Sequence, residues 1–302
     1  LLVSSAASDV YKRQSQNRTA KKSNVEKRGI ILSKVQELKL STKKILAQVS
    51  NKVGHIIFNN PERHNAVSLE MWDAVEEALT FFSGDDNIRV VILSGAGGKS
   101  FVSGADISKF DRERGSKDAV AHYNSRIKVV YDLIENFAKP TIAMIDGYCI
   151  GGGLNLAACT DFRIVSKKSQ FAMPAAKLAL GSPFQAVNRL INAVGVAEAK
   201  LLMFTAKRID AETALRLGFA QEVVAEDALE QRVMEIAEMI ADNAPLTVAA
   251  MKYISIQAMK ADPDSRDMKT CDDMVAACFS SNDYKEGRNA FMEKRKPNFG
   301  GN

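Results

Sequence analysis

TIAMIDGYCIGGG, residues 141–153, running into LNLAACTDFRI, residues 154–164, decides how this chain folds. The apolar TIAMI run reads as a buried strand. After it come Gly147, then Gly151, Gly152 and Gly153, then apolar residues at helical spacing. A strand delivered into glycines that open a helix leaves backbone N–H groups without intrahelical acceptors, and no Cβ shields them. Such donors stabilise an oxygen that turns negative during a reaction. A glycine turn that merely permits tight packing is the competing reading.

A second stretch repeats the pattern. RVVILS (89–94) reads as a strand, GAGGKS (95–100) as a turn, and FVSGADISKF (101–110) carries Gly104-Ala105 in a bend almost bare of side chains. Two such bends, each after a β-like run, can aim two N–H donors at one carbonyl oxygen. GAGGKS is not a phosphate-binding P-loop, because Leu93 stands where that motif needs its first glycine; it reads as a hairpin-like turn.

SGADI and DGYCIGGGLNLAACTDFRI, in that order, resemble the enoyl-CoA hydratase/isomerase (crotonase) family. NPERHNAVS (60–68), TAKRIDAETALRLGFAQEVV (205–224) and EGRNAFMEKRKPNFGG (286–301) extend the likeness over roughly residues 45–302. The resemblance implies an α/β fold: a crotonase-like spiral of ββα units over 41–226 with a C-terminal helical subdomain over 227–302. It also implies an acyl-CoA substrate, a homotrimer or dimer of trimers, and an oxyanion hole at Ala105 and Gly152. Coenzyme A then arrives as part of the substrate, with no separate cofactor.

Charge is unevenly placed. The chain of 302 residues carries +5, and residues 1–44 hold eleven basic against three acidic residues. That segment is therefore +8 and residues 45–302 are −3, which argues against a nucleic-acid footprint on the body. An RNA-binding role is accordingly the weakest reading. Residues 1–40 read as a disordered basic tail, with a transit peptide as the alternative. DVYKRQ (9–14) looks like a translated sequencing adapter, so residues 1–14 are expected to be an assembly scar. Cys149, Cys159, Cys271 and Cys278 show neither CxxC pairing nor a metal-like cluster. They read as reduced cysteines of a cytoplasmic protein, with Cys149 as a remote candidate nucleophile. No run reaches the ~20 apolar residues of a membrane helix.

Along the body, ILAQVS (45–50) and GHIIFN (54–59) predict a hairpin across Asn51-Lys52. Leu69, Trp72, Val75, Leu79 and Phe82 predict a helix capped by Ser68, with Trp72 in the core. Tyr123, Ile127, Val130, Ile134 and Phe137 predict another over 118–137. FRIVS, QFAMP and FAQEVV read as strands. Four helices are expected at 227–241, 246–260, 266–280 and 284–295.

In the family, water addition to an enoyl thioester uses two carboxylates, one activating water and one protonating the α-carbon. Here the first acid position falls on Asn155. The second, which follows a proline, falls on Ala175 after Pro174. The segment up to Gly181 is about two residues longer than the hydratase pattern, and the isomerase acid position falls on Gln185. All three are neutral. Replacement groups are sought in His64, Asp111, Glu113, His122 and Tyr123, against the plainer reading of each as surface. Asp106 reads as a helix cap. Coenzyme A contacts implied by the resemblance are Arg63, Ala66, Ser103, Asp106, Ile107, Phe291 and Lys294; no metal site is expected. The expected function is an acyl-CoA enzyme, nominally an enoyl-CoA hydratase of fatty acid metabolism, working through an enolate. The alternatives are a malonyl-type decarboxylase, an isomerase, or a non-catalytic acyl-CoA-binding scaffold.

Overall fold

Two β-sheets share the strands turn by turn. In the computed structural model, which describes residues 35–302, the large sheet runs β1 (Gln36–Leu38), β2 (Ile45–Ser50), β3 (Val53–Phe58), β4 (Val90–Gly95), β6 (Thr141–Ile145), β8 (Phe162–Ser166) and β11 (Glu222–Val224). The small sheet is ordered β10 (Ile209–Asp210), β9 (Gln170–Ala172), β7 (Tyr148–Ile150), β5 (Ser100–Val102). Each turn therefore lays one strand in the large sheet and the next in the small one: β4 then β5, β6 then β7, β8 then β9. This is the expected spiral. The loop 95–100 is accordingly not a hairpin; its ends belong to different sheets, and Gly97 and Gly98 take positive φ to make the crossing.

Helices fill the gaps: α1 (Leu69–Gly84), α2 (Lys117–Glu135), α3 (Gly152–Ala158), α4 (Phe184–Val194), α5 (Val196–Thr205), α6 (Ala211–Arg216), α7 (Leu229–Ala241), α8 (Pro245–Ala258), α9 (Met268–Ser280) and α10 (Asn282–Met292). Period-two burial in the parallel strands separates two cores. Ile56, Phe58, Val91, Leu93, Ala143 and Val165 face α1 and the small sheet, whereas Val53, Val90, Ile92, Ile142 and Ile164 face Leu229, Val233, Ala237 and Ala241 of α7. The first of the four C-terminal helices thus covers the large sheet, so residues 227–241 belong to the body and 35–302 form one unit. Ser68 does precede α1, but its hydroxyl makes no capping bond.

Residues 36–40, expected to belong to the tail, are part of the fold. Gln36–Leu38 pairs antiparallel with β2, and Leu38 and Leu40 pack on the core. The remainder of that tail, with the expected scar over 1–14, lies outside the described residues. Among the described residues no helix is long and apolar enough to cross a membrane.

The DFRI motif has a structural use. Arg163, buried, donates from Nε to Phe219 O and from Nη1 to Thr160 O (2.8 Å) and Ala157 O (3.3 Å), tying the end of α3 to the loop before β11. Asp161 accepts from the Thr141 N–H (2.7 Å) and from Lys252 Nζ (2.7 Å), which pins α8 to the start of β6.

On β3, His55 Nε2 meets Ser94 Oγ at 2.7 Å, and burial pushes its pKa down to about 4. The folded ring stays neutral at a pH where the unfolded chain, near pKa 6.5, takes a proton. Stability from this site is therefore full above pH 6.5 and drains away as pH falls toward 4. Urea midpoints taken between those values should decline by the equivalent of up to about 3 kcal/mol. His55→Gln should remove that part of the slope, which a paired denaturation series measures.

Candidate active site

Parallel pairing explains why two bends 47 positions apart meet. β5 and β7 are neighbours in the small sheet, with Ser100 opposite Tyr148 and Val102 opposite Cys149. Chain leaving the same end of each strand must emerge side by side. From β5 it enters Gly104-Ala105; from β7 it enters Gly151-Gly152 and α3. A Cβ placed on Gly104 would sit 3.7 Å from the Gly152 nitrogen, and one placed on Gly152 would sit 3.9 Å from the Ala105 nitrogen.

Local pairing leaves both N–H groups free to face the gap. Val67 bridges to the first bend: its N–H donates to Gly104 O (2.9 Å) and its carbonyl accepts from the Asp106 N–H (2.9 Å). The two neighbours of Ala105 are thereby engaged, and the Ala105 N–H points away from Val67, with no acceptor among the described residues. Gly152 is the first residue of α3, where an N–H has no intrahelical partner. The Gly151 N–H goes back to Ala172 O (2.8 Å), and the backbone of Gly151, at φ 57°, suits only a residue without a Cβ. Tyr131 Oη donates to Gly152 O at 3.0 Å and locks that peptide from α2. Burial pushes the Tyr131 phenol well above its ordinary value, so it stays a donor.

These bends open on a cavity of about 750 Å³. Its walls include Trp72, Ser103, Ile107, Asp111, Arg114, Tyr123, Asn155, Pro174 and Ala175. Of the acid positions, Asn155 and Ala175 line it, whereas Gln185 is exposed and does not. Asn155 is buried, and its Oδ1 has no hydrogen-bond partner. Asp111 is the one carboxylate in the wall. Glu113 and His122 line a separate, smaller pocket, where the Glu113 carboxylate accepts from the Leu69 N–H (3.3 Å) and burial raises its pKa. His64 is exposed and lies edge-on to Tyr148, with ring centroids 6.0 Å apart. Cys149 is wholly buried and its thiol is pushed up in pKa, which excludes it as a nucleophile.

The expected coenzyme A positions divide. Arg63, Ala66, Ser103, Asp106 and Ile107 sit together on the two loops joined by the Val67 bridge. Ser103 Oγ donates to Arg63 O (3.4 Å), and Arg63 lies 3.7 Å from the Asp106 carboxylate. Asp106 is buried and accepts from the Ser108 N–H (3.1 Å) and hydroxyl (2.6 Å), so it caps the turn Ile107–Lys109 as expected. Phe291, 82 % exposed on α10, and Lys294 just beyond that helix do not line the cavity of their own chain. Among the described residues no cluster of His, Cys, Asp or Glu could hold a metal ion.

The family model described as Enoyl-CoA hydratase/isomerase matches residues 48–302. The chain belongs to the enoyl-CoA hydratase/isomerase family. It is 35% identical over 255 residues to crotonyl-CoA hydratase of Syntrophomonas wolfei, covering 84% of this chain and 97% of that one. It is 31% identical to methylmalonyl-CoA decarboxylase of Escherichia coli, over 83% of this chain and 95% of that one. Among solved structures, an enoyl-CoA hydratase/carnithine racemase of Magnetospirillum magneticum superposes with a TM-score of 0.82 at 32% identity, covering 87% and 97% of the two chains. The protein is thus an acyl-CoA enzyme of hydratase, lyase or isomerase type in that family.

Tyr131 and Arg114 are among the cavity residues that sequence reading missed. Tyr131 carried a signal, since it follows Tyr123 and Ile127 by eight and four positions on the same helical face. Arg114 carried none: it directly follows the short helical turn Phe110–Glu113, where no periodicity assigns a direction.

Proposed function

We propose that this enzyme hydrates a 2-enoyl-CoA thioester through an enolate held by the N–H groups of Ala105 and Gly152. The converging pair of unpaired donors carries the reading. Bound there, the thioester oxygen gains charge as water adds at C3, and two preorganised N–H dipoles stabilise the enolate without reorganising. Asp111 takes the proton from the attacking water and delivers it to C2, so one carboxylate serves where the family pattern has two. Asn155 Oδ1, buried and without a partner, accepts a hydrogen bond from that water. Arg63 and Ser103 flank the entry for the coenzyme A arm. The enzyme assembles as a trimer or dimer of trimers, which the exposed apolar side chains of the last helices (Phe279, Phe291, Met292) favour.

Decarboxylation of a malonyl-type thioester is the second reading, favoured by the neutral Asn155 and Ala175. It reaches the same enolate by losing carbon dioxide and needs no base to begin. Purified enzyme incubated with crotonyl-CoA and, separately, with carboxyl-labelled malonyl-CoA separates the two. Loss of ultraviolet enoyl absorbance is the expected result, and labelled carbon dioxide alone would transfer the assignment to decarboxylation. Tight thioester binding without either turnover would leave a non-catalytic acyl-CoA-binding protein.

A further inference from the structure

One wall of the cavity gathers an indole, a phenol and a guanidinium whose buried polar atoms complete no hydrogen bond of normal length. Trp72 Nε1, Tyr123 Oη and Arg114 Nε are all buried, line the same wall and have no partner. Trp72 is 2 % and Tyr123 1 % exposed, so bulk water does not serve them. Buried polar atoms left this way cost about 1–3 kcal/mol each, and native structures hold few of them. Three on one wall of one cavity indicate a missing ligand group.

The chemistry of that group follows from the donors. An indole N–H and a guanidinium can only donate, so the group facing them must accept. The Arg114 guanidinium stands 3.9 Å from the Tyr123 ring centroid and 4.3 Å from that of Phe110, and no carboxylate of the described residues pairs with it. Asp111 shares the wall without bonding it, and Glu113 is turned toward Leu69. Burial raises the Tyr123 phenol, with Arg114 and Trp72 near enough to oppose the rise, and the phenol remains protonated. A half-buried guanidinium that stacks on two aromatic rings, has no carboxylate partner among the described residues and stands beside a phenol and an indole fits a carboxylate.

Position fixes where that carboxylate sits on the substrate. Tyr131 holds the Gly152 peptide, and the Trp72 ring packs on Tyr131 at 5.3 Å between centroids. The cluster therefore lies one aromatic layer from the oxyanion turn. We propose that Arg114, Tyr123 and Trp72 recognise a carboxylate at the distal end of a short acyl chain, making the substrate a dicarboxylic mono-CoA thioester. The guanidinium supplies charge, and the phenol and indole direct it. The proposal rests on the cavity being a CoA-thioester site, but not on which reaction occurs there.

Calorimetric binding of succinyl-CoA and pentanoyl-CoA tests it, because both are saturated and neither undergoes hydration. Wild-type protein should bind succinyl-CoA at least tenfold more tightly. Arg114→Gln should erase that preference and leave pentanoyl-CoA affinity within twofold; Tyr123→Phe, which removes only the hydroxyl, should reduce it severalfold. Equal affinities in the wild type would overturn the proposal. So would an Arg114→Gln loss shared by both thioesters, which would place the guanidinium on coenzyme A itself. If neither thioester binds, the thioester site falls and this proposal falls with it.

Discussion

Gly152→Pro should lower kcat by 10²–10³-fold while the protein still folds and binds acyl-CoA. Removing one oxyanion donor typically costs about 3–4 kcal/mol of transition-state stabilisation. Proline suits the experiment because Gly152 is the first residue of α3, where proline is favoured and the lost N–H supports no helical bond. Its backbone lies outside the positive-φ region, and an added Cβ meets Tyr131 Oη at 3.4 Å and Gly104 Cα at 3.6 Å, both ordinary contacts. Gly152→Ala supplies the control for the added Cβ, so the gap between the two variants reports the lost N–H together with the ring Cδ that takes its place on the nitrogen. Thermal melts within a few degrees of wild type would certify the fold. If proline and alanine reduce kcat alike, the donor has no role and the enolate mechanism loses its support.

The glycines made this half of the site legible. A strand ending in three glycines before a helical pattern leaves few backbone solutions, and parallel β5–β7 pairing then forces the two bends together. The large sheet was equally readable, since VVIL and TIAMI are unbroken apolar runs of the kind that parallel strands covered on both faces require. What faces the cavity from helices and loops was harder to see. Gln185 illustrates this. The segment after Pro174 forms a 3-10 turn through Leu178, and Ala179 takes φ 53°. α4 then begins at Phe184, which turns Ala186 inward and Gln185 to solvent. Counting from Gly181 cannot anticipate that rotation. Nor can sequence show that Trp72 is both core and cavity wall, because burial and an unpaired indole N–H are compatible only once a cavity is present.

Asp111→Asn should cut hydration by 10²–10⁴-fold with little change in acyl-CoA affinity, the range typical for loss of a positioned acid–base group. The argument is one of elimination among residues that reach the cavity. Asn155 accepts hydrogen bonds but cannot take a proton, Ala175 has no polar atom, and Tyr131 is held protonated by burial and engaged on Gly152 O. Glu113 and His122 open on the neighbouring pocket. That leaves Asp111 as the one cavity carboxylate, on the Phe110–Glu113 helical turn directly after the Ala105 bend. Asparagine keeps its size and hydrogen bonding and removes only its basicity, so a kcat effect with unchanged thioester binding identifies proton transfer. Placing a carboxylate at the neighbouring position, as Asn155→Glu in the Asp111→Asn background, should recover at least tenfold of the loss, because the new group enters the same wall beside Gly152. If hydration survives Asp111→Asn undiminished, the base lies elsewhere; if carbon dioxide release is the only turnover and also survives, the enolate forms by decarboxylation and requires no base.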